Sequence, residues 1–341
     1  MLEFPLPRLP LLHAPTRLQP LPAIAAALGG QAGGGLYVKR DDEMGIAIGG
    51  NKLRSLEFWL GAARDEGADI LLVGGMASSN LCRLTAAAAA ISGFECLILH
   101  NSDKSDLSLR QSALSRLHGA RLRFLGAMDE ATRAAALNAE AAALRRAGRR
   151  PYIIGEAALG ALGYALCADE LLQQDRAAGA GIRQVFLPGS MGPTEAGFLF
   201  GNALLGLPYE VHLVSVEYAE DDLRARIQTI WAELCRLTGL LPALPDYRVD
   251  MRWLGAGYGA PTAAADAALM EFARCEGLLL EEVYTAKTFA AFRAHAAEAF
   301  AVAHHAGICV VHTGGVPALF AQLDGLLTRL PAALGMDTLQ G

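Results

Sequence analysis

The residue with the clearest chemical potential in this chain is Lys52, within the segment IAIGGNKLRSLEF (residues 46–58). Gly49 and Gly50 allow a tight turn before it, and the apolar residues after it predict a buried helix. Burial at that junction would remove water from the amine, lower its pKa and allow it to attack a carbonyl carbon. The alternative is a surface lysine near a helix N-terminus, since lysine is usually exposed.

A reactive lysine needs a carbonyl partner, and the aldehyde of pyridoxal phosphate (PLP) is the commonest one in enzymes. The segment LPGSMGPTEAGFLFG (187–201) is typical of a phosphate site, because a strand, a glycine turn and a helix start present N–H groups to an anion. Thr194 could add a hydroxyl, and Pro193 suits the first helical turn. An ordinary turn between a strand and a helix is the alternative.

Two other segments place small and polar residues where a strand gives way to a helix. In VGGMASSNLCRLTAAAAA (73–90), Ser79 could accept or donate a proton and Asn80 could contact a cofactor hydroxyl. Both residues are also good helix N-caps, which is the alternative. In CVVHTGGVPALF (309–320), Thr313 could hydrogen-bond a ring nitrogen, or the segment is a tight turn without a ligand.

Two tyrosines beside small residues are candidates for proton transfer. Tyr258 lies in LGAGYGAPT and Tyr284 in EEVYTAKTF, and both segments are typical of loops that line a site. A phenol can orient a carboxylate or carry a proton. Each tyrosine could equally be a structural aromatic with a satisfied hydroxyl.

The composition excludes several classes of protein. With 341 residues, 53% hydrophobic and 19% charged, the chain is a well-buried globular protein long enough for two lobes. Its net charge of −6 argues against a nucleic-acid surface. The longest apolar runs are too short for a membrane span, and the N-terminal segment lacks a signal-peptide pattern, so we expect a cytoplasmic protein. Six cysteines without a CxxC pair and eight histidines without a ligand spacing predict no metal.

Short apolar runs alternate with helical stretches along the chain. This alternation predicts an α/β fold with a mostly parallel sheet covered by helices on both faces. Because ligands bind at the carboxyl ends of parallel strands, we expect the three glycine-bearing segments to meet in one crevice. The clearest predicted helices span residues 53–67 and 128–148, and the predicted strands span residues 36–41, 69–75, 95–100, 121–126, 151–155, 184–190, 210–217 and 308–315.

Taken in order, these segments resemble one family, the D-cysteine desulfhydrases and 1-aminocyclopropane-1-carboxylate (ACC) deaminases, which share the PLP fold of the tryptophan synthase β type. The resemblance covers nearly the whole chain, and its most specific motifs are KRDD and GGNK. It implies two α/β lobes, each a mostly parallel twisted sheet covered by helices, with the cofactor between them. The large lobe would comprise residues 1–53 plus 165–341 and the small lobe residues 54–164. It also implies a homodimer that acts on a small amino acid.

The resemblance further implies a role for individual residues. Lys52 would bond to the aldehyde of PLP as a Schiff base, and Asn80 would contact its phenolic oxygen. Thr313, with Gly314 beside it, would face the pyridine nitrogen. The remaining roles concern the phosphate, assigned to Ser190, Met191, Gly192, Pro193 and Thr194, and the substrate, assigned to Ser78, Ser79, Leu81, Tyr258 and Tyr284. Lys52, Ser79 and the two tyrosines are the predicted catalytic groups.

The chain also departs from the family pattern. ACC deaminases carry a glutamate where this chain has Thr285, and this difference favours the desulfhydrase branch. Ser78, Leu81 and Leu84 stand where the family usually has polar residues of other types. These departures keep three hypotheses open. The chain is a lyase or deaminase that performs β-elimination, a biosynthetic enzyme for β- or γ-replacement or ring opening, or a PLP-binding protein with impaired catalysis.

Overall fold

The computed structural model describes residues 2–30, 35–302 and 306–330. Within these ranges the strands are β1 (Leu18–Pro20), β2 (Leu36–Lys39), β3 (Ile70–Gly75), β4 (Glu95–His100), β5 (Arg121–Phe124), β6 (Pro151–Ile153), β7 (Ile182–Gly189), β8 (Glu210–Ser215), β9 (Arg248–Asp250) and β10 (Gly307–Val311). They form a larger sheet with the order β1-β2-β10-β7-β8-β9 and a smaller sheet with the order β5-β4-β3-β6.

Both sheets are almost entirely parallel. Each pair of neighbouring strands runs parallel except at one edge, where β1 runs antiparallel to β2. In β7, Val185 and Leu187 belong to one apolar cluster while Phe186 between them belongs to another. Because successive side chains of a strand point to opposite faces, both faces of the larger sheet are buried. The predicted α/β fold with mostly parallel sheets is confirmed.

Helices connect and cover the strands. One of them, α7, is buried along most of its length and contacts three other helices, α2, α8 and α9. The helices of the described ranges are α1 (Pro22–Ala27), α2 (Lys52–Asp65), α3 (Asn80–Ser92), α4 (Asp106–Gln111), α5 (Ala113–Leu117), α6 (Glu130–Arg146), α7 (Ala157–Ala178), α8 (Pro193–Leu204), α9 (Glu220–Thr238), α10 (Ala263–Glu276), α11 (Thr285–Ala301) and α12 (Val316–Arg329).

Glycines let the backbones of α2, α7 and α8 touch. A Cβ atom at Gly163 of α7 would lie 2.3 Å from the carbonyl oxygen of Arg54 in α2, and one at Gly197 of α8 would lie 2.0 Å from that of Ala161 in α7. Any side chain at these two positions would force the helices apart. This packing fixes the position of α2 relative to α8. It therefore also fixes Lys52, at the start of α2, relative to the loop before α8.

A buried ionic cluster fixes the turn that precedes α2. The Asp41 carboxylate accepts hydrogen bonds from Arg54 Nε at 2.8 Å and Nη2 at 2.7 Å, and from the Tyr164 hydroxyl at 2.7 Å. Burial acts to raise the pKa of Asp41, but the Arg54 guanidinium outweighs it and leaves this pKa below its usual range. The Asp41 carbonyl also accepts from the N–H of Gly50 at 3.1 Å. The cluster therefore ties the glycine turn to α2 and α7.

The division into lobes stays a prediction. Strands β3 to β6 of the smaller sheet lie between residues 70 and 153. The predicted boundaries after residues 53 and 164 fall inside α2 and α7. Among the helices that the structure describes, none combines the length and apolar character needed to cross a membrane.

Candidate active site

Asn51, immediately before α2, joins two of the glycine-bearing segments to the lysine. Its backbone N–H donates to the carbonyl of Thr313 at 2.9 Å, and its side-chain amide donates to Thr194 Oγ1 at 3.0 Å. A Cβ atom at Gly314 would lie 2.5 Å from the Cα of Gly50, so the backbones of these two turns touch. The structure thus brings the loop after β7 and the turn after β10 together beside Lys52.

Lys52 is the first residue of α2 and is half-buried. Loss of water around its amine lowers the pKa of Lys52, although the negative charges of Glu195 and Glu217 act in the opposite direction. A lowered pKa increases the neutral fraction of the amine, which is the nucleophilic form. An amine of this kind can attack a carbonyl carbon, and the bond between Lys52 and a cofactor stays a prediction.

The loop between β7 and α8 carries donors that point at anionic oxygens. The backbone N–H of Ser190 donates to Glu195 Oε1, and the Ser190 hydroxyl donates to Glu217 Oε2. Gly192 has a φ of 102°, which favours glycine, and Pro193 occupies the first turn of α8. Met191 in the same loop is 36% exposed. The loop can hold an anion, and in this structure the anion is a carboxylate of the chain itself.

Sequence reasoning missed both Glu195 and Glu217. Glu195 resembles an ordinary acidic residue in the first turn of a helix, where it would interact with the helix dipole. Glu217 follows β8, which pairs directly with β7, so its carboxylate reaches the neighbouring loop. A parallel pairing of β7 and β8 would have predicted this meeting, but the sequence alone does not give the strand order.

In the segment after β3, the structure shows Ser79 as a helix N-cap. Ser79 is the N-cap of α3 and accepts from the N–H of Cys82 at 3.3 Å, while Ser78 is exposed. Asn80 Oδ1 accepts from Arg83 Nη2 at 3.1 Å. Leu81 is partly buried against the apolar cluster that contains Val185 and Leu187. The Arg83 guanidinium also donates to Gly49 O at 3.2 Å, which ties this segment to the turn before Lys52.

Tyr258 and Tyr284 form a pair. Their hydroxyl oxygens lie 2.5 Å apart and their rings meet edge to face, with centroids 5.9 Å apart. Burial raises the pKa of both phenols, and the charge of Glu217 adds to the shift in each case. Both hydroxyls are therefore neutral near pH 7 and can donate hydrogen bonds. Because Glu217 also acts on the pKa of Lys52, the tyrosine pair and the lysine share one electrostatic environment.

Two buried residues that the sequence did not single out support this pair. The Glu281 carboxylate accepts from the N–H groups of Val283, Tyr284 and Thr285 at 2.8–2.9 Å and thus fixes the start of α11. Lys287, the third residue of α11, donates to the carbonyls of Leu254 at 2.8 Å and Gly257 at 3.3 Å. Lys287 thereby holds the loop with Tyr258 against the helix that begins beside Tyr284.

In the described ranges, no group of three or more histidine, cysteine or carboxylate residues could hold a metal ion. Thr313 is 6% exposed and sits at the carboxyl end of β10, on the side of the larger sheet where Ser190 follows β7. Lys52 contributes an amine to the site, the loop before α8 contributes donors for an anion, and Tyr258, Tyr284, Glu195 and Glu217 contribute hydroxyl groups and carboxylates.

Comparisons with known proteins agree with this geometry. Residues 9–314 match the family described as "Pyridoxal-phosphate dependent enzyme". The chain is 34% identical over 324 residues to D-cysteine desulfhydrase of Salmonella typhi, an alignment that covers 92% of this chain and 96% of the relative. A solved structure described as an ACC deaminase homologue has a TM-score of 0.85 at 27% identity and covers 96% and 97% of the two chains. A threonine deaminase isoform from Solanum lycopersicum, with a TM-score of 0.65 at 15% identity, shares the fold.

The chain therefore belongs to the family of PLP-dependent enzymes. Within that family its place is with the D-cysteine desulfhydrases and ACC deaminases, as the sequence motifs predicted. The fold of the tryptophan synthase β type is confirmed with it.

Proposed function

We propose that this chain is a lyase or deaminase that uses PLP to perform β-elimination on a small amino acid and releases a 2-oxo acid and ammonia. The observation that carries the proposal is Lys52, which lies where the turns after β7 and β10 meet and has a lowered pKa. The 34% identity to a D-cysteine desulfhydrase supports the same class of reaction.

The residues around Lys52 suit PLP in two respects. Lys52 supplies an amine for the aldehyde, and Ser190 supplies a backbone N–H and a hydroxyl that already engage anionic oxygens. We assign the phosphate to residues 190–194, the phenolic oxygen to Asn80 and the ring nitrogen to Thr313, with Gly314 completing the turn. When bound, PLP withdraws electrons from the α-carbon of an attached amino acid.

The side chains of the chain provide the proton transfers. The neutral amine of Lys52 can accept the α-proton of the substrate, because its pKa is lowered. The leaving group then departs from the β-carbon with the bonding electron pair, and hydrolysis of the remaining unsaturated product consumes one water. Tyr258 and Tyr284 can donate a hydrogen bond to the substrate carboxylate or a proton to the leaving group. Ser78, Ser79 and Leu81 are the other proposed contacts of the substrate.

A second candidate is an enzyme for replacement or ring opening on a less polar amino acid. Two apolar residues favour it, since Leu81 and Met191 stand in segments that we assign to the substrate and the phosphate. The Tyr218 hydroxyl donates a hydrogen bond to the sulfur of Met191 at 3.4 Å, which orients the methionine side chain. The homodimer and the cytoplasmic location stay predictions.

A product assay separates these functions. The purified chain with PLP is offered D-cysteine, L-cysteine, D-serine and ACC, and 2-oxo acid, ammonia and sulfide are measured. We expect D-cysteine to give the three products in equal amounts, and Lys52→Ala to give none. Formation of 2-oxobutanoate and ammonia from ACC, without sulfide from D-cysteine, would favour ring opening. Absence of product from every compound would support a PLP-binding protein without catalysis.

A further inference from the structure

The loop before α8, residues 190–192, can bind an anion, and in this structure the side chain of Glu195 from α8 occupies it. Glu195 is 2% exposed, and its carboxylate turns back over the loop to accept the backbone N–H of Ser190. Burial raises the pKa of Glu195, although hydrogen bonds from the backbone N–H groups of Ser190, Glu195 and Gly192 act against this shift. The backbone N–H of Ser190 thus serves a buried carboxylate, and the nearby N–H groups of Gly192 and Glu195 favour its ionised form.

A second carboxylate lies against the same residue. Glu217, half-buried after β8, accepts from the hydroxyl of Ser190. A phosphate monoester carries about −1.5 to −2 charges at neutral pH. If it bound at this loop, it would need the donors of Ser190 and would lie beside both carboxylates. A phosphate close to the Glu195 carboxylate would disfavour the ionised form of that carboxylate, because the two groups carry charge of the same sign.

We propose that Glu195 competes with the phosphate of the cofactor for the backbone donors of this loop, so that phosphate binding displaces the Glu195 carboxylate and leaves it protonated. The proton comes from solvent. The proposal rests on the proposed function, because it places the phosphate at residues 190–194. It makes Glu195 a residue that tunes cofactor affinity with pH, and not a catalytic residue.

The charged and titratable groups on the neighbouring elements are compatible with this competition, because two of them are engaged with other partners. From α2, Lys52 acts on Glu195 and favours its ionised form. From the end of β8, Glu217 adds negative charge. From α9, Arg226 packs beside Gly192, but its guanidinium pairs with Glu130 at 2.9 Å and covers the Tyr218 ring. From α7, Tyr164 approaches α8, but its hydroxyl donates to Asp41.

The test compares PLP with pyridoxal, which has the same aldehyde and no phosphate. Dissociation constants are measured by tryptophan fluorescence on the full chain freed of cofactor, from pH 7 to 8.5, where the phosphate itself no longer titrates. The ratio of the two dissociation constants gives the contribution of the phosphate group to the affinity. We expect the advantage of PLP over pyridoxal to fall by up to about tenfold per pH unit, as one linked proton requires.

The matched variants are Glu195→Gln and Asp222→Asn. Glutamine keeps the shape of Glu195 but cannot ionise, so the advantage of PLP should become independent of pH and larger at pH 8.5. Asp222 is an exposed acid on α9, and its variant should retain the slope of the unmodified chain. An unchanged slope in Glu195→Gln, or a flat ratio in the unmodified chain, would overturn the proposal.

A calorimetric measurement on the unmodified chain keeps the test independent of how the variant folds. Titration of PLP in two buffers of different ionisation enthalpy gives the number of protons taken up on binding. We expect close to one more proton for PLP than for pyridoxal at pH 8, and equal uptake would contradict the proposal. If PLP forms no covalent link to Lys52 at all, the proposed function fails. If the link forms but PLP and pyridoxal take up the same number of protons, only the role of Glu195 fails.

Discussion

At the scale of single residues, the site depends on what surrounds Lys52. A lysine at a helix N-terminus is ordinary, but Asn51 beside it hydrogen-bonds to both Thr194 and Thr313. These two contacts span 143 and 262 residues of sequence and fix the amine between the loop after β7 and the turn after β10. The glycine motifs in the sequence predict the turns after β7 and β10. The hydrogen-bond partners of Asn51 could not be predicted, because they depend on the fold.

The tyrosine pair gives the first prediction. Tyr258→Phe and Tyr284→Phe each remove one of two hydroxyls that share a hydrogen bond of 2.5 Å. We expect each variant to lower kcat by roughly a hundredfold, the lower end of the usual range for loss of an acid–base group. The absorbance of bound PLP should stay unchanged. Steady-state kinetics on the best substrate of the panel provide the measurement.

Tyr152→Phe is the control for this pair, because Tyr152 lies in β6 of the smaller sheet, where it pairs with β3. It should retain the kcat of the unmodified chain. Full activity in the double variant Tyr258→Phe with Tyr284→Phe would exclude the pair from the reaction.

At the scale of elements, the turn before α2 depends on the buried pair of Asp41 and Arg54. Asp41→Ala would leave the Arg54 guanidinium, 3% exposed, with Glu170 as its remaining carboxylate. Removing one partner of a buried ion pair typically costs 3–5 kcal/mol. We expect Asp41→Ala to decrease the free energy of unfolding, measured with urea, by about 3 kcal/mol, the lower end of this range. The exposed Asp65→Ala on α2 should change it by less than about 0.5 kcal/mol; equal losses would contradict this account of the turn.

The contact between α11 and the loop with Tyr258 depends on Lys287. Lys287→Met keeps the length of the side chain but leaves two carbonyls without their donor. We expect a loss of about 1–3 kcal/mol in unfolding free energy together with a lower kcat, because Tyr258 loses its support. Arg293→Met removes a more exposed cation from the same helix and serves as the control for both measurements. Normal kcat in Lys287→Met would show that the loop holds Tyr258 without it.

The elements also show where sequence reasoning succeeded and where it failed. The eight predicted strands all occur as strands, with bounds shifted by a few residues. The short edge strands β1 and β9 were missed, since three residues carry no hydrophobic alternation. Both are defined by pairing with a longer neighbour, β1 with β2 and β9 with β8. Such strands follow from the order of the sheet, which local patterns do not contain.

At the scale of the whole molecule, stability should fall in mild acid. The His212 ring stacks on Phe186 with centroids 4.4 Å apart, and His295 lies 5.0 Å away. Burial and the neighbouring His295 lower the pKa of His212 to about 4. The unfolded imidazole accepts its proton near 6.5, so the unfolded state binds more protons between these values and stability is lost as pH falls from about 7 to 4. The loss should reach about 3 kcal/mol.

His212→Phe tests this prediction because phenylalanine retains the stacking and cannot be protonated. Melting temperatures are compared at pH 7.5 and pH 5. The decrease should be smaller in His212→Phe than in the unmodified chain, while the exposed His13→Gln should show the full decrease. An equal decrease in all three proteins would show that other groups govern acid stability.

The fold, the family and the position of Lys52 could be predicted because they depend on local motifs that recur in order. Glu195, Glu217 and Lys287 could not, because their roles depend on contacts between segments that the sheets bring together. The alternation of strands and helices indicates that such contacts exist, but not which side chains make them.

The most direct test of the central claim locates the cofactor on the chain. The protein with PLP is reduced with borohydride, digested and analysed by mass spectrometry, and its visible absorbance is recorded before reduction. We predict the added mass on Lys52 alone, and loss of both the added mass and the visible absorbance in Lys52→Ala. Added mass on Lys39, Lys104 or Lys287, or an unchanged spectrum in Lys52→Ala, would contradict the account.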